Sequence, residues 1–183
     1  PYIRAESLGA LKNYYQNKFK VYDKAADIFF YFYQRSFDIL KTQGLYGVIS
    51  NNFNKTTGGK ILRNYLKDNV KFCYIVDFSK IQIFKGAVTY PIVFIASNEF
   101  IDNNSFQYHL VSDEKEFIQN MFSINYTLLN QANLNSEVWA FDDRVSKVIL
   151  QMSNNKSISE LFGKSYRGIL TGMHEAFILE NCD

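Results

Sequence analysis

The feature that most constrains the fold of this chain is a set of three short apolar runs with unequal spacers. The runs 44–52, 70–78 and 90–97 have the composition and flanking residues of buried strands. A helical pattern over 58–68 separates the first two, which predicts a crossover helix and a mostly parallel sheet. The second spacer is too short for a helix, so we expect its two strands to pair antiparallel. The sequence therefore predicts an α/β fold.

Three further patterns extend this sheet. Apolar residues recur every three or four positions in 23–40, which predicts an amphipathic helix. The run 105–112 alternates apolar and polar residues, as a half-exposed strand does. Residues 113–122 have the pattern of a short helix.

The last third of the chain has a different character. The Asn-rich stretch 123–139 lacks periodicity, and we interpret it as a linker. A helix with acidic residues in its first turn is predicted over 142–152. Ser157 and Glu160 have the spacing of a capping box before a short helix that ends at Gly163.

Composition limits the classes of protein. The chain has 183 residues, a net charge of +2 and 17% aromatic residues, so it is neither disordered nor basic overall. No apolar run reaches the roughly 18 residues that a membrane span needs. Cys73 and Cys182 do not indicate a disulfide framework, and no leader pattern is present, so we expect a cytoplasmic location. The opening Pro1-Tyr2, without Met, leads us to expect a piece of a longer protein.

No familiar nucleophilic or metal site emerges from the residues. His109 and His174 lie far apart, and the cysteines lack zinc-ligand spacing. The run Gly58-Gly59-Lys60 lacks the preceding glycine and the following Ser or Thr of a phosphate-binding loop, so we interpret it as the start of a helix. We therefore predict no metal ion.

A series of short motifs nevertheless follows one another through residues 1–97. They are Pro1-Tyr2, Asp27-Ile28-Phe29, Phe32, Leu40-Lys41-Thr42-Gln43-Gly44, Gly47, Ile49, Asn51-Asn52, Val76-Asp77-Phe78, Ile83-Phe84 and Gly86-Ala87-Val88-Thr89. This order resembles the second half of the catalytic domain of γ-class DNA N6-adenine methyltransferases, above all the fused type IIG restriction–modification enzymes. That family has an Asn-Pro-Pro-Tyr loop, and Pro1-Tyr2 look like its last two residues.

The end of the chain also resembles these enzymes. Arg167-Gly168-Ile169-Leu170-Thr171-Gly172 is similar to the opening of their target-recognition region, although Met173-His174 replace a more usual Leu or Cys followed by Asn. The resemblance implies the C-terminal half of a Rossmann-like methyltransferase sheet with an antiparallel last strand. It implies three parts: catalytic domain 1–112, linker and connecting helices 113–150, and start of a recognition domain 151–183.

The resemblance also implies a function and a set of residues. The enzyme would transfer a methyl group from S-adenosylmethionine to an adenine flipped out of double-stranded DNA in the bacterial cytoplasm, with no membrane partner. A fused endonuclease fits the family, and this piece alone is expected to be inactive. The implied site residues are Pro1, Tyr2 and Phe84 for catalysis, Asp27 and Phe32 for the cofactor, and Asn51, Asn52, Lys55, Lys85, Arg167 and Thr171 for DNA.

Other interpretations remain open at this point. The chain could be a non-catalytic DNA-specificity or interaction module, or part of another S-adenosylmethionine-dependent methyltransferase that acts on RNA or protein. Phe84 could be a core residue at a strand end, and Asp27 and Phe32 could simply start and pack a helix. Lysines in loops are by default solvated.

Overall fold

A computed structural model gives the fold of this chain. It describes residues 2–86, 89–120, 122–134, 138–139, 141, 155–156 and 158–163. The chain divides into two compact units, Pro1–Phe141 and Asp142–Asp183.

Short helices surround a single sheet in the first unit. The described α-helices are α1 (Leu11–Lys18), α2 (Ile28–Ile39), α3 (Lys60–Asn69), α4 (Glu114–Gln119) and α5 (Ile158–Phe162), the last of these in the second unit. Single 3₁₀ turns lie at Ala5–Leu8, Thr57–Gly59 and Gln131–Asn133. None of the helices in the described part of the chain is long and apolar enough to cross a membrane.

The sheet has five strands in the order β1-β3-β2-β4-β5. They are β1 (Leu45–Asn51), β2 (Lys71–Asp77), β3 (Pro91–Ser97), β4 (Ser105–Leu110) and β5 (Thr127–Asn130). The predicted α/β class and the antiparallel pairing of β2 with β3 are confirmed. Since β1 is also antiparallel to β3, β1 and β2 run parallel, with β3 between them.

The expectation of a mostly parallel sheet is wrong, although the α/β class holds. Among the described strands, only β2 and β4 pair parallel, and the other three pairings are antiparallel. The crossover through α3 does make β1 and β2 parallel, as the spacing predicts. The short connection after β2 then inserts β3 between them, and this removes the parallel contact.

The core lies between α2, α3 and one face of the sheet, and aromatic rings dominate it. Tyr33 on α2 contacts the rings of Tyr46, Phe53 and Phe94 with centroid distances of 5.1–5.8 Å. Phe72 on β2 contacts Phe94 at 5.1 Å. Aromatic residues bury large areas, so the high aromatic content is explained first by packing.

Strand β1 is less buried than its apolar sequence predicts. Leu45 and Ile49 are 66% and 57% exposed, whereas Tyr46 and Val48 pack against the core. The reason is that β1 lies at the end of the sheet, and α2 covers only one of its faces. Side chains alternate between faces along a strand, so the other set remains outside.

The helix predicted over 23–40 begins at Ile28 instead. Asp23 forms a turn before it, since its side chain accepts a hydrogen bond from the N–H of Ala25 and its carbonyl accepts one from Ala26. Helix α1 was not predicted at all. Its residues are all exposed or half-exposed, so its sequence lacks the apolar stripe by which a helix is predicted.

The interpretation of 123–139 as a linker is wrong. Strand β5 pairs with β4 there, and Gln131 and Trp139 are buried. Asn54 accepts a backbone hydrogen bond from Trp139 over 2.9 Å, which ties this stretch to the loop after β1. The predicted domain boundaries at 112 and 150 stay predictions.

Two predictions concern the second unit. The helix predicted over 142–152 lies outside the described residues. The short helix predicted after Ser157 is confirmed as α5, and Gly163 ends it with a φ of 80°. A positive φ of this kind is the usual geometry of a glycine after a helix.

Candidate functional site

The carboxyl ends of β1 and β2 lie at the same edge of the sheet, because the two strands are parallel. β1 ends at Asn51 and β2 at Asp77, and a loop leaves the sheet from each. Parallel strands of open α/β sheets commonly place ligands at this edge. The predicted residues Tyr2, Asn52, Lys55 and Phe84 lie on or beside these loops.

Asp77 is the buried charge that joins the two loops. The side chain is almost fully buried, and Oδ1 accepts a hydrogen bond from the backbone N–H of Ser79 over 2.8 Å. Oδ2 accepts one from the Tyr108 hydroxyl at 3.3 Å and lies 3.7 Å from Nζ of Lys55. A buried carboxylate needs such partners. Asp77 therefore fixes Ser79 and Lys55 relative to the sheet.

Tyr2 lies against the carboxyl half of β1. Its hydroxyl donates a hydrogen bond to the carbonyl of Ile49 over 3.2 Å, and its ring lies 5.8 Å from that of Phe29 on α2. Tyr2 is 52% exposed, so part of the residue remains accessible. Asp27 and Ile28 hold the following segment, because they bond to the backbone of residues 5 and 3.

Phe84 projects from the loop that joins β2 to β3. Its side chain is 46% exposed, and its carbonyl accepts a hydrogen bond from Nε2 of Gln82 at 3.4 Å. It therefore does not belong to the core, which was the alternative interpretation. Both ends of its loop, after Asp77 and before Pro91, lie at the edge that Tyr2 approaches.

The two residues predicted to bind the cofactor differ in their surroundings. Phe32 is 53% exposed on α2, so it does not pack in the core, which was the alternative interpretation. Asp27 precedes α2 and is half-buried, with Oδ1 bonded to the N–H of Ala5 over 2.9 Å. An exposed ring and a second carboxylate oxygen fit a nucleoside, so the cofactor role stays a prediction that these residues can support.

The predicted DNA-binding residues separate into two groups. Asn51, Asn52, Lys55 and Lys85 lie at the carboxyl edge, at the end of β1 or in its two loops. The other two, together with one predicted catalytic residue, lie outside the described residues: Pro1, Arg167 and Thr171.

An open cavity of about 390 Å³, here called the edge cavity, lies between the two loops. Its lining residues are Asn52, Lys55, Thr56, Ser79, Lys80 and Tyr90. Ser79, Lys80 and Tyr90 were not predicted from the sequence. They line the cavity only because the fold brings the loop of Ser79 beside the loop of Lys55, 24 residues earlier in the chain. The Val-Asp-Phe motif before Ser79 was the available signal.

Gly58 and Gly59 are explained by packing. A Cβ atom on Gly58 would collide with the backbone of Ala25, and one on Gly59 would collide with the carbonyl of Phe53. Both glycines lead directly into α3, so the interpretation as a helix start is confirmed. No group of three His, Cys, Asp or Glu residues within the described ranges has the arrangement of a metal site.

Comparison with known proteins then identifies the relationship. Residues 1–84 match the model of the Eco57I restriction-modification methylase family. This part of the chain is therefore similar to the restriction–modification methylases. The chain is 28% identical over 188 residues to the type II restriction enzyme and methyltransferase RM.Eco57I of Escherichia coli. The aligned region covers 97% of this chain and 18% of that protein. The type II methyltransferase M.BstVI of Geobacillus stearothermophilus is 36% identical over 108 residues, or 57% of this chain and 19% of that protein.

The predicted resemblance to type II restriction–modification methylases is thereby confirmed. The chain spans about a fifth of the length of these curated relatives. Two solved structures are similar in part. The type IIG restriction endonuclease BpuSI gives a TM-score of 0.48 at 11% identity over 74% of this chain and 18% of its own. A nuclease-deletion mutant of the type ISP restriction-modification enzyme LlaGI, in complex with a DNA substrate mimic, gives 0.46 at 17% identity over 56% of this chain and 10% of its own.

Proposed function

We propose that this chain is part of a site-specific DNA adenine-N6 methyltransferase of a type II restriction–modification system. The observation that carries the proposal is the position of Tyr2 and Phe84. Two half-exposed aromatic rings come from separate segments to the carboxyl edge of the sheet, in a chain related to restriction–modification methylases. Each ring has a face to offer to a planar ligand.

The chemistry of adenine explains why such rings are useful. The exocyclic amine is unreachable inside a duplex, so the base has to leave the stack, and a flipped base needs a stacking surface. Tyr2 and Phe84 would hold the two faces of the ring. The hydrogen bond from Tyr2 to Ile49 fixes one ring against the rigid sheet, which reduces the freedom that binding would otherwise remove.

The amine is also a poor nucleophile, because its lone pair is delocalised into the purine ring. Acceptors that take hydrogen bonds from its two N–H groups favour a pyramidal nitrogen and orient the lone pair. In the family pattern Asn-Pro-Pro-Tyr these acceptors precede the Pro-Tyr pair. No covalent nucleophile is needed in this scheme.

S-adenosylmethionine would supply the electrophilic methyl group. Phe32 offers an exposed ring for its adenine, and Asp27 offers the carboxylate oxygen that Ala5 does not use. Asn51, Asn52, Lys55 and Lys85 would contact the DNA backbone around the flipped nucleotide. The endonuclease function of some relatives is not assigned to any residue of this chain.

Substitution of Phe84 in the whole protein tests the proposal. Stacking is worth roughly 1–3 kcal/mol per base, so Phe84→Ala should lower the methylation rate or the affinity for flipped-base DNA by about one to two decades. Phe84→Trp should retain more activity than Phe84→Leu, because a flat face is required and not only volume. Affinity for S-adenosylmethionine should stay constant.

The matched control is Phe100→Ala. Phe100 is also an exposed phenylalanine, 58% accessible, but it follows the carboxyl end of the antiparallel β3 and so lies at the opposite edge of the sheet. A fluorescent adenine analogue at the target position reports base flipping directly. Equal flipping and methylation in wild type and Phe84→Ala would refute the proposed role.

A further inference from the structure

The edge cavity has a chemical character of its own. Lys55 and Lys80 are its only charged lining residues, and both are exposed. No carboxylate lines it, because Asp77 lies buried beneath Lys55 and its oxygens face Ser79, Tyr108 and Lys55. The cavity therefore favours an anion over a cation.

The two lysines hold different positions. Nζ of Lys55 lies 3.7 Å from Asp77 and donates a hydrogen bond of 3.4 Å to Oγ of Ser79, so its head group lies beside these two side chains. Lys80 forms no ion pair with any residue that the structure describes, and its charge is uncompensated there. One positioned ammonium and one available ammonium give the cavity an excess of positive charge.

Uncharged polar groups complete the lining. Ser79, Thr56 and Tyr90 are hydroxyl-bearing lining residues, and Oδ1 of the lining residue Asn52 is buried without a hydrogen-bond partner in the described part of the chain. The two atoms of an asparagine amide exchange by a simple rotation, so Asn52 can offer either an N–H or a carbonyl. A buried polar atom of this kind is costly unless a ligand or water bonds to it.

The cavity lies beside the proposed base site and is separate from it. Tyr2 bonds to Ile49, and Asn52 follows three residues later. At about 3.3 Å per residue of strand, the two points are roughly 10 Å apart. Neither Tyr2 nor Phe84 lines the cavity. A cavity that neither ring lines suits a backbone group of a neighbouring nucleotide and not the flipped base.

We propose that the edge cavity binds one phosphodiester of the DNA strand next to the flipped nucleotide. Lys80 and Lys55 supply the charge, and Ser79, Tyr90 and Asn52 supply hydrogen bonds to the phosphate oxygens. The proposal rests on the proposed function, because it assumes that DNA lies at this edge. It assigns DNA contacts to Ser79, Lys80 and Tyr90, and it leaves Lys85 outside the cavity.

The test measures binding of duplex DNA to the whole protein at several salt concentrations. Each phosphate contact contributes about 0.9 to the slope of log K against log salt, so Lys80→Ala should reduce that slope by about 1 and weaken binding of all sequences alike. Lys41→Ala is the matched control, since Lys41 is an exposed lysine before the amino end of β1 and should leave the slope unchanged. Lys55→Ala is avoided, because it would leave the buried Asp77 without its cation.

A neutral methylphosphonate, placed in turn at each phosphate within two nucleotides of the target adenine, locates the contact. One position should weaken binding by wild type about tenfold, and the same substitution should have a clearly smaller effect on Lys80→Ala and a smaller one still on a Ser79→Ala, Lys80→Ala double variant. Independent, additive losses at every position would overturn the proposal. In a third outcome, one phosphate position depends on Lys80 while Phe84→Ala leaves flipping and methylation unchanged. That result would retain the cavity assignment and refute the proposed base contact.

Discussion

The carboxylate of Asp27 accepts a hydrogen bond from the backbone N–H of Ala5 over 2.9 Å. This contact joins the start of α2 to the segment that carries Tyr2, three residues before Ala5. Ala5 is buried, so its N–H has no access to water if the acceptor is removed. Asp27 thus has a positioning role in addition to its proposed contact with the cofactor.

Two variants of Asp27 separate these roles. Asp27→Ala should cost about 1–3 kcal/mol in the segment's stability and lower the methylation rate roughly tenfold, because the Ala5 N–H loses its acceptor. Asp27→Asn retains an oxygen at the same place and should recover most of the rate if positioning dominates. A raised Kd for S-adenosylmethionine in both variants, with normal base flipping, would show instead that the cofactor contact dominates.

Arg63 should be essential for the loop that carries Lys55. Its guanidinium is buried, and Nη1 donates to the carbonyls of Phe53 and Thr56 over 2.9 and 2.7 Å. Arg63→Met should lower the free energy of unfolding by about 3 kcal/mol, because both carbonyls lose a charged donor. Arg35→Met, at an exposed position on α2, should change it by less than about 0.5 kcal/mol. Urea unfolding measures both, and equal values would contradict the assignment.

Tyr31 and Tyr33 form a matched pair with opposite expectations. Both are buried on α2, but the Tyr33 hydroxyl lies 2.7 Å from Oγ of Ser50, whereas none of the described residues bonds to the hydroxyl of Tyr31. Tyr31→Phe should raise the free energy of unfolding by about 1 kcal/mol, and Tyr33→Phe should lower it by about 1 kcal/mol. Changes of the same sign would show that the hydroxyl environments are not as described.

The same pair predicts the response to alkaline pH. Burial raises the pKa of Tyr31 to about 12 and that of Tyr33 well above its ordinary value near 10, partly opposed in Tyr33 by the hydrogen bond to Ser50. At a pH between the ordinary and the raised pKa of these tyrosines, the unfolded chain has released protons that the folded chain retains. The free energy of unfolding therefore falls as pH rises through this range. The stability of the fold should keep its full value below about pH 10. Tyr31→Phe should make the fall in stability above that pH shallower. A tyrosinate absorbance titration, read beside unfolding, checks this.

Gln131 should decide whether residues 127–134 behave as part of the fold. Its side chain donates to the carbonyls of Lys67 and Val70 and accepts from Phe72 and Asn104, with all four distances between 2.8 and 3.0 Å. Gln131→Leu should lower the free energy of unfolding by about 3 kcal/mol and expose this stretch to limited proteolysis. Gln119→Leu, at an exposed position on α4, is the control. Rapid cleavage of the wild type within 127–134 would restore the linker interpretation.

The strands were predictable because their signals are local. The runs that became β1, β2 and β3 are apolar, short and bounded by turn residues, and the spacer before Pro91 excludes a helix. Strand β5 has four residues and only one apolar pair, so its pairing with β4 depends on contacts that no window of sequence contains. In the sequence Gln131 has the character of a surface residue. Its burial depends on the carbonyls of Lys67 and Val70 at the end of α3, which only the fold brings beside it.

The candidate site was predictable only through motif order. The positions of Tyr2 and Phe84 at one edge follow from the family pattern together with the parallel direction of β1 and β2. The exposure of Phe32 did not follow from its spacing, which matches that of buried Phe29 and Tyr33. The pairing of Lys55 with Asp77 joins residues 22 positions apart and requires the fold itself.

The direction of β3 determines how freely the length of the loop between Asp77 and Pro91 can vary. Since neighbouring strands are about 4.8 Å apart, β3 holds the carboxyl ends of β1 and β2 roughly 10 Å from each other. The loop between Asp77 and Pro91 leaves and re-enters the sheet at adjacent strands, so residues can be gained or lost within it without shifting any strand register. A change in the length of this loop therefore leaves the sheet that supports the site as it is.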